Sequence, residues 1–411
     1  MAIDPAQSPA DSPPIPPGQL APRTLPVTHS SLQPGVTHHR PARGSSQAHP
    51  GVQPLSALTH RTQRFQPLPA PLGEPPYHID LSTLVPGIND RVAQQGQFVF
   101  HAVGDTGGIK NPDYQRAVAA AMKSDLNQNE PQRPAFFYHL GDVVYYNGEI
   151  ARYYDQFYEP YDHYNAPIVA IPGNHDGDPI DTSQTSLDGW VRYFMTPNPV
   201  VNPDSHDAPR VTLSLPNVYF TLNCPLVTII GLYSNVPEHG SIDSVQQQWL
   251  TNEFATAPHD KALIFTVHHP IYSFDDHHGG SARMADALQH AINDSRRLPN
   301  LVLNAHVHNY QRIERPIVAG TLTPFVVAGH GGYPHLHGMN ADPGATDPTT
   351  QAHLLASEHT SHGYLTLTVT ADTIQGVGTL VKPDGTRQDG VDPFTYPATA
   401  QFLPDGAVVS L

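Results

Sequence analysis

The chain has 411 residues, a formal net charge of −16 and a hydrophobic fraction of 38%. This length suits one large domain or two smaller ones, and the hydrophobic fraction is enough for a substantial core. The acidic balance argues against a nucleic-acid-binding protein, since such proteins normally present a basic face. A single cysteine, Cys224, excludes an internal disulfide framework and leaves the redox compartment undecided.

Residues 1–75 differ in composition from the rest of the chain. They hold 16 of the 44 prolines and are otherwise rich in Ser, Gln and His. Such a stretch cannot bury enough apolar surface to offset its ordering entropy, so we expect a disordered, proline-rich tail followed by a single domain over residues 76–411. No signal-peptide pattern and no run of 18 apolar residues occurs, so we expect a soluble protein.

Strand and helix signals alternate at the start of the predicted domain. The run QFVFHAV predicts a strand, and Asn111 with Pro112 suits the first turn of the helix that follows. AFFYH predicts the next strand, GEIARYYDQFYEPY the next helix, and APIVAI a third strand. This alternation favours an α/β sheet with parallel pairing.

The alternation of strands and helices stops after Pro199, where RVTLSL, NVYFTL and LVTIIGLYS predict consecutive strands of an antiparallel meander. Two helices follow, in SVQQQWLTNEFATA and ARMADALQHAIND, alternating with strands that end near His268 and His306. Late strands are predicted around FVVAG and GYLTLTVT, and PDG sequences at 383–385 and 404–406 predict two hairpin tips.

Five apolar runs lead directly into residues of metal-ligand type. The residues are Asp105; Asp142 with Tyr145; Asn174 with His175; His268 with His269; and His306 with His308. In sheets flanked by helices, functional groups collect outside the carboxyl ends of the strands. Oxygen and imidazole ligands together suit Fe, Zn or Mn, and two such cations are the usual machinery for displacement at phosphorus. The pattern therefore predicts a two-metal site at one edge of the sheets.

Taken in order, GDTGG, GDVVYY, GNHD, HHP and AHVHNYQR resemble the motifs of the calcineurin-like metallophosphoesterase superfamily. They are most similar to those of purple acid phosphatases, because the first motif is GDxG, a tyrosine follows in GDxxY, and HVHNYQR is close to the plant form. The resemblance spans roughly residues 98–364. It implies a layered αββα sandwich, with two mixed sheets flanked by helices and a dinuclear metal site at the carboxyl ends of the strands.

The resemblance also implies roles for individual residues. The first metal ion, Fe(III), would be held by Asp105, Asp142, Tyr145 and His308. The second, Fe, Zn or Mn(II), would be held by Asp142, Asn174, His268 and His306, with Asp142 shared. His175 would stand over the phosphate and protonate the leaving group, and His277 would line the substrate pocket.

Departures from the family pattern remove no ligand. Val267 and Ala305 stand where glycine is more usual, and His269 stands where tyrosine is common. Either of the adjacent histidines could be the ligand, and the spacing to Pro270 favours His268.

Several other histidines near the motifs are predicted not to be ligands. His101 and His139 lie inside apolar runs and are expected to be core groups that support the ligands. His278, His330, His335 and His337 lie in glycine-rich loops and are expected to be solvated, with His330 left open as a pocket residue. Asp275 and Asp276 are expected at a solvated loop edge.

Together these observations predict a phosphate monoester hydrolase of the acid phosphatase type, in which a metal-bound hydroxide attacks phosphorus. One alternative is a phosphodiesterase or nucleotide pyrophosphatase with Mn or Zn in both positions, against which Tyr145 argues. Another is a metal-stabilised binding protein without turnover, which should have lost His175 or a ligand. The expected partner is a small phosphorylated substrate, neither nucleic acid nor membrane, and the resemblance favours an extracytoplasmic location.

Overall fold

The computed structural model describes residues 62–318 and 321–411. Its strands are β1 (His78–Asp80), β2 (Gln97–Val103), β3 (Pro134–His139), β4 (Ile168–Ala170), β5 (Phe220–Asn223), β6 (Val227–Leu232), β7 (Ala262–Val267), β8 (Arg297–Leu298), β9 (Leu301–Asn304), β10 (Tyr310–Val318), β11 (Thr321–Ala328), β12 (His353–Glu358), β13 (His362–Thr370), β14 (Thr373–Val381), β15 (Arg387–Pro397) and β16 (Gln401–Phe402). Its α-helices are α1 (Leu81–Leu84), α2 (Ile88–Gln95), α3 (Pro112–Asp125), α4 (Asn174–Gly177), α5 (Asp188–Phe194), α6 (Ser244–Thr256) and α7 (Ala282–Ser295).

Two large mixed sheets form the centre of the fold. The eight-stranded sheet has the order β1-β5-β6-β7-β9-β11-β10-β12, and its middle strands β6, β7, β9 and β11 run parallel. The six-stranded sheet has the order β15-β14-β13-β2-β3-β4, with β2, β3 and β4 parallel. The sheets face each other, since the Tyr138 hydroxyl of β3 lies 2.9 Å from the Thr266 hydroxyl of β7.

Helices cover the outer faces of both sheets. Helix α3 packs on β13 and β14, while α6 packs on β6 and against α7. The predicted layered αββα sandwich is therefore confirmed. Helix α3 also begins as its sequence predicts, with the Asn111 side chain accepting a hydrogen bond from the Asp113 amide and Pro112 in the first turn.

Three predicted elements differ in the structure. The stretch GEIARYYDQFYEPY forms a 3-10 turn, Ile150–Arg152, and a π-helical turn, Tyr154–Tyr158, in place of one α-helix. Its rings are buried on several sides rather than along one stripe: Tyr153 packs on Tyr193, and Phe157 on Phe194. An α-helix in that position would bury only one face.

The other two differences concern a strand and a turn. RVTLSL makes only the isolated bridges of Val211 with Val201 and of Ser214 with Met195, so it contributes no full strand to the meander. The PDG sequence at 383–385 does connect two paired strands, β14 and β15. The one at 404–406 closes a turn, from the Ala407 amide to the Pro404 carbonyl, after the last strand of the chain.

Residues 62–75, which the composition assigns to the tail, lie against the domain. The Thr62 amide and hydroxyl donate to the Asp178 carboxylate at 2.6–3.1 Å. The backbone of Gln66 exchanges two hydrogen bonds with the Asn235 side chain, at 2.8 and 2.9 Å. Residues 1–61 of the predicted tail lie outside the described residues. None of the helices in the described ranges is long and apolar enough to cross a membrane.

We expect residues 62–73 to stabilise the domain. A chain that begins at residue 74 loses the hydrogen bonds to Asp178, Asn235 and Pro216, each contributing about 0.5–1.5 kcal/mol. Its Tm, measured by differential scanning calorimetry, should be lower than that of a matched chain that begins at residue 60. Equal Tm values for the two chains would contradict this expectation.

Candidate metal centre

The five ligand-bearing loops lie at one edge of the sandwich. Each follows the carboxyl end of a parallel strand: β2, β3 and β4 in one sheet, β7 and β9 in the other. Backbone hydrogen bonds join these loops, from the Asp105 amide to the Gly141 carbonyl at 3.0 Å and from the Ala305 amide to the His268 carbonyl at 2.9 Å. Each of these bonds joins two loops of one sheet, and the hydrogen bond from the His306 amide to Asp105 Oδ2 joins the loops of the two sheets.

One group of side chains surrounds the Tyr145 hydroxyl. It donates to Asp105 Oδ1 at 2.9 Å and lies 3.2 Å from His308 Nε2. His308 Nε2 is in turn 3.5 Å from Asp105 Oδ1. All three residues are buried. The Tyr145 hydroxyl, Asp105 Oδ1 and His308 Nε2 therefore lie close enough together to bind one cation, as proposed for the first metal position.

A second group lies beside the first. His306 Nδ1 is 2.9 Å from Asn174 Oδ1, and His268 Nε2 is 3.4 Å from Asp142 Oδ2. Ligand atoms of Asp105, from the first group, and of Asp142 and His268, from the second, all lie within 4.8 Å of one another, so Asp142 lies close to both groups. The structure thus brings together all seven side chains that the sequence proposes as ligands.

Backbone geometry and hydrogen bonds hold these side chains in place. Asp105, Asp142 and His306 have positive φ angles of 55°, 55° and 70°, a conformation that is uncommon for residues other than glycine. The His306 amide donates to Asp105 Oδ2 at 2.7 Å, and the His175 amide donates to Asp142 Oδ1 at 2.9 Å. The carboxylate of Asp176 accepts hydrogen bonds from Gly173, Val143 and Val144, and so ties two loops together.

The outer nitrogens of three histidines are used to orient the rings. His268 Nδ1 donates to the Leu140 carbonyl at 2.8 Å, His308 Nδ1 to the His335 carbonyl at 3.1 Å, and His175 Nδ1 to the Tyr146 carbonyl at 2.7 Å. The Nε2 atom of each ring therefore faces the centre. Outer-shell bonds of this kind fix the tautomer of a metal-ligating histidine.

The residues present fit a pair of cations. Asp142 Oδ2 and His268 Nε2 are buried 3.4 Å from each other, and neither makes a hydrogen bond of normal geometry with a described group. Buried polar atoms normally have a partner, so these two are directed toward a ligand of another kind. A set of carboxylates, imidazoles, one amide oxygen and one phenol suits Fe, Zn or Mn.

The pKa shifts of the buried side chains also favour a bound cation. Burial raises the pKa of Asp105 to about 7, with the Asp142 charge adding to the rise. Although burial opposes it, the Asp142 charge raises the pKa of His268 to about 9. The centre therefore needs positive charge beside Asp142, which a cation supplies in place of a proton.

His277 lies outside this group. Its side chain is 61% exposed, its Nδ1 lies 2.6 Å from Asp276 Oδ1, and its ring stacks on His337 at 4.5 Å. Its role in lining the substrate pocket stays a prediction. The ring of His269 lies 4.2 Å from that of His306, and its Nδ1 lies 2.7 Å from the Ser234 hydroxyl.

The structure brings in residues that the sequence analysis set aside or did not consider. The ring of His278, expected to be solvated, lies 4.7 Å from that of His306, and Glu238 contacts both residues. Asp275, expected at a solvated edge, is buried and accepts hydrogen bonds from the His278 amide and from Asn309. Glu238 follows β6, another parallel strand, so the rule that located the other loops could have found it.

The histidines expected to be core groups are fully buried. His101 lies 3.2 Å from Asp125, and His139 lies 2.8 Å from the Thr106 hydroxyl.

Comparisons with known proteins agree with this geometry. The structure is similar to purple acid phosphatase PPD1 from yellow lupin (Lupinus luteus) seeds, with a TM-score of 0.53 and 20% identity over 74% of this chain and 54% of that one. It is also similar to GAP50, described as the anchor in the inner membrane complex of Plasmodium, with a TM-score of 0.51 and 15% identity over 74% of this chain and 90% of that one. No curated protein matched the chain.

A family model, calcineurin-like phosphoesterase, matches residues 98–310, which is just over half of the chain. The matched range contains every candidate ligand described above. The two mixed sheets flanked by helices follow the expectation drawn from the motifs. The chain therefore belongs to the calcineurin-like phosphoesterase family, a family of metal-dependent phosphoesterases.

Proposed function

We propose that the protein is a dinuclear-metal phosphatase of the acid phosphatase type, which hydrolyses phosphate monoesters. The observation that carries the proposal is the convergence of seven ligand-type side chains on two adjacent positions, with Asp142 between them and His175 beside them. A binding protein without turnover would have no need for the complete set. The proposed substrate is a small phosphorylated molecule.

The two positions would be filled as follows. Asp105, Asp142, Tyr145 and His308 would hold the first cation, and Asp142, Asn174, His268 and His306 the second. Such a pair, when bound, supplies a water molecule of lowered pKa as nucleophile and stabilises negative charge on the phosphoryl oxygens. The chain itself contributes the orientation of these ligands and the protons.

His175 is placed to serve the leaving group. Its Nδ1 hydrogen bond to the Tyr146 carbonyl fixes the ring, and its Nε2 lies 4.0 Å from Asp142 Oδ2, at the edge of the ligand group. A protonated imidazole in this position can donate its Nε2 proton to the departing oxygen. Because that proton must be present, activity should favour acid conditions.

Tyr145 supports a trivalent ion in the first position. The phenol is fully buried, and burial together with the Asp105 charge raises its pKa well above the usual range. The phenolate therefore forms only when a strongly charged cation replaces the proton. Fe(III) in the first position and Fe, Zn or Mn(II) in the second meet this requirement, whereas a divalent pair, as in the phosphodiesterase alternative, meets it less well.

We expect Gly173→Ala to abolish tight metal binding. A Cβ at Gly173 would overlap both the Oδ1 and the backbone nitrogen of Asp142, the carboxylate that both cations share. Metal affinity should fall by more than about tenfold at both positions, measured by elemental analysis after equilibrium dialysis. Gly279→Ala, where a Cβ meets nothing within 4 Å, is the matched control. Normal metal content in folded Gly173→Ala protein would contradict the placement of Asp142.

We expect iron-loaded, oxidised protein to show an intense visible absorption band from the Tyr145 phenolate. Tyr145→Phe should remove the band and keep the iron bound through the remaining ligands, because only the phenolate oxygen is lost. Absorption spectroscopy with parallel iron analysis checks this. A wild-type protein that binds iron but stays colourless would favour the Mn or Zn alternative.

We expect wild-type protein to hydrolyse phosphate monoesters faster than a matched bis-ester, and His175→Ala to lose this activity unevenly. General acid catalysis is worth about 10²–10⁴-fold, so alkyl phosphates, whose leaving groups need a proton, should lose rate in that range. Nitrophenyl phosphate, whose leaving group departs without a proton, should lose less.

Steady-state kinetics with metal analysis provides the measurement. His175→Ala should keep both cations. Asn174→Ala should lose the second cation, and its rate of hydrolysis should fall for alkyl phosphates and for nitrophenyl phosphate alike. Equal losses on both esters at full metal occupancy would assign His175 to phosphate positioning instead. Preference of the wild type for the bis-ester would support the phosphodiesterase alternative, and no hydrolysis of either ester by metal-loaded protein would support the binding protein.

A further inference from the structure

A carboxylate outside the family's ligand set lies beside a candidate ligand of the second cation. Glu238 lies in the loop after β6, with Oε1 2.9 Å from His278 Nδ1 and 3.8 Å from His306 Nε2. His306 is a candidate ligand of the second cation, and its ring lies 4.7 Å from that of His278. Glu238 thus connects a ligand to a neighbouring histidine at the rim of the centre.

The two nitrogens of His306 face different surroundings. Nδ1 is 2.9 Å from Asn174 Oδ1, another candidate ligand of the second position. Nε2 is buried and forms no hydrogen bond of normal geometry with any described residue, and the Glu238 carboxylate lies on its side of the ring. A neutral imidazole carries its proton on one nitrogen and its lone pair on the other. For Nδ1 to present a lone pair beside Asn174, Nε2 must carry the proton.

We propose that Glu238 is a positioning residue for the second cation: its carboxylate attracts the Nε2 proton of His306 and so holds Nδ1 in the form that can bind a metal ion. The same oxygen holds His278 next to that ligand. This inference rests on the proposed two-metal function. It adds a residue that neither the motifs nor the family resemblance assigns.

His306 differs in this respect from the other two imidazole ligands. His268 and His308 direct their outer nitrogens to neutral backbone carbonyls, of Leu140 and His335. A carboxylate is a stronger acceptor and increases the basicity of the ligating nitrogen more than a carbonyl does. Glu238 should therefore act on the second position and leave the first unchanged.

The loop that carries Glu238 is fixed by its own contacts. The Asn235 side chain is hydrogen bonded to the backbone of Gln66 at both its oxygen and its nitrogen. The Ser241 amide donates to the Ser234 carbonyl at 2.7 Å, and the Gly240 amide to the Pro237 carbonyl at 2.8 Å. The carboxylate is thus presented by a closed loop, although its side chain keeps 36% exposure to water.

The test compares metal affinities and does not depend on activity. Metal-free wild type, Glu238→Gln and Glu238→Ala are titrated with Zn²⁺ in competition with a chromophoric chelator. The second-site step is identified as the one that Asn174→Ala removes. We expect Glu238→Ala to weaken that step by about 10–100-fold and to leave the other step unchanged. Glu238→Gln, which keeps the shape and loses the charge, should fall between Glu238→Ala and wild type.

Asp276→Asn is the matched control, because it removes a nearby carboxylate that contacts the exposed His277 rather than a candidate ligand. It should change Zn²⁺ affinity by less than about twofold, as expected for a solvent-screened charge. An equal loss in Asp276→Asn would mean that general charge, not the His306 contact, is responsible, and would overturn the proposal. If Glu238→Ala does not fold, Glu238→Gln alone decides.

The outcomes separate this inference from the proposed function. If wild type shows two steps and both Glu238 variants match it, the positioning role is wrong and the dinuclear site stands. If wild type shows no second step, the dinuclear site itself is wrong, and the inference that rests on it is overturned as well.

Discussion

The carboxylate of Asp142 is 1% exposed and lies between two groups of polar side chains. A buried negative charge is costly unless positive charge and hydrogen bonds surround it. Here the His175 amide donates to one oxygen, and the other faces His268. Although burial alone would raise it, the charges of His268 and His175 hold the pKa of Asp142 well below its usual range. The arrangement of the surrounding loops follows from the need to keep this carboxylate ionised inside the protein.

That need is met only because the edges of two different sheets coincide. Leu140 precedes Asp142 on one sheet, and Ala305 precedes His306 on the other; a Cβ at Gly104 would contact both of their Cβ atoms. Glycine at 104 and a small residue at 305 therefore let the two edges approach closely. The alanine that departs from the family pattern at this position is small enough to preserve the contact. The close packing between the two sheets at Gly104 and Ala305 thus also determines how closely Asp142 and His306 approach each other.

The sequence was informative where the chemistry follows a strand. Apolar runs ending in Asp, Asn or His located the five loops, because parallel strands deliver their carboxyl ends to one edge. The sequence was less informative where tertiary packing decides which secondary structure a segment adopts. The aromatic run at 153–158 forms a π-helical turn because its rings are buried on several sides, which no helical period encodes.

Loop conformation also limited how much of the candidate site could be predicted from the sequence. Asp275 and His278 lie in a glycine-rich stretch whose composition predicts solvated residues, yet Asp275 accepts a hydrogen bond from Asn309 and His278 donates one to Glu238. Glu238 itself has no distinguishing pattern around it. Only its position after β6 marks it, and that position becomes meaningful once β6 is known to lie parallel to β7.

The left-handed backbone at Asp105, Asp142 and His306 has a consequence for the kinds of ligand that this edge can accept. Asp, Asn and His tolerate such φ angles far better than β-branched or bulky residues do. The loop geometry therefore favours side chains with oxygen or imidazole donors at three of the seven candidate ligand positions. Such donors are less suited to a cation that prefers thiolate or thioether ligands. The dihedral angles of the chain at these three positions thus bear on which ligand atoms this edge can offer to an ion.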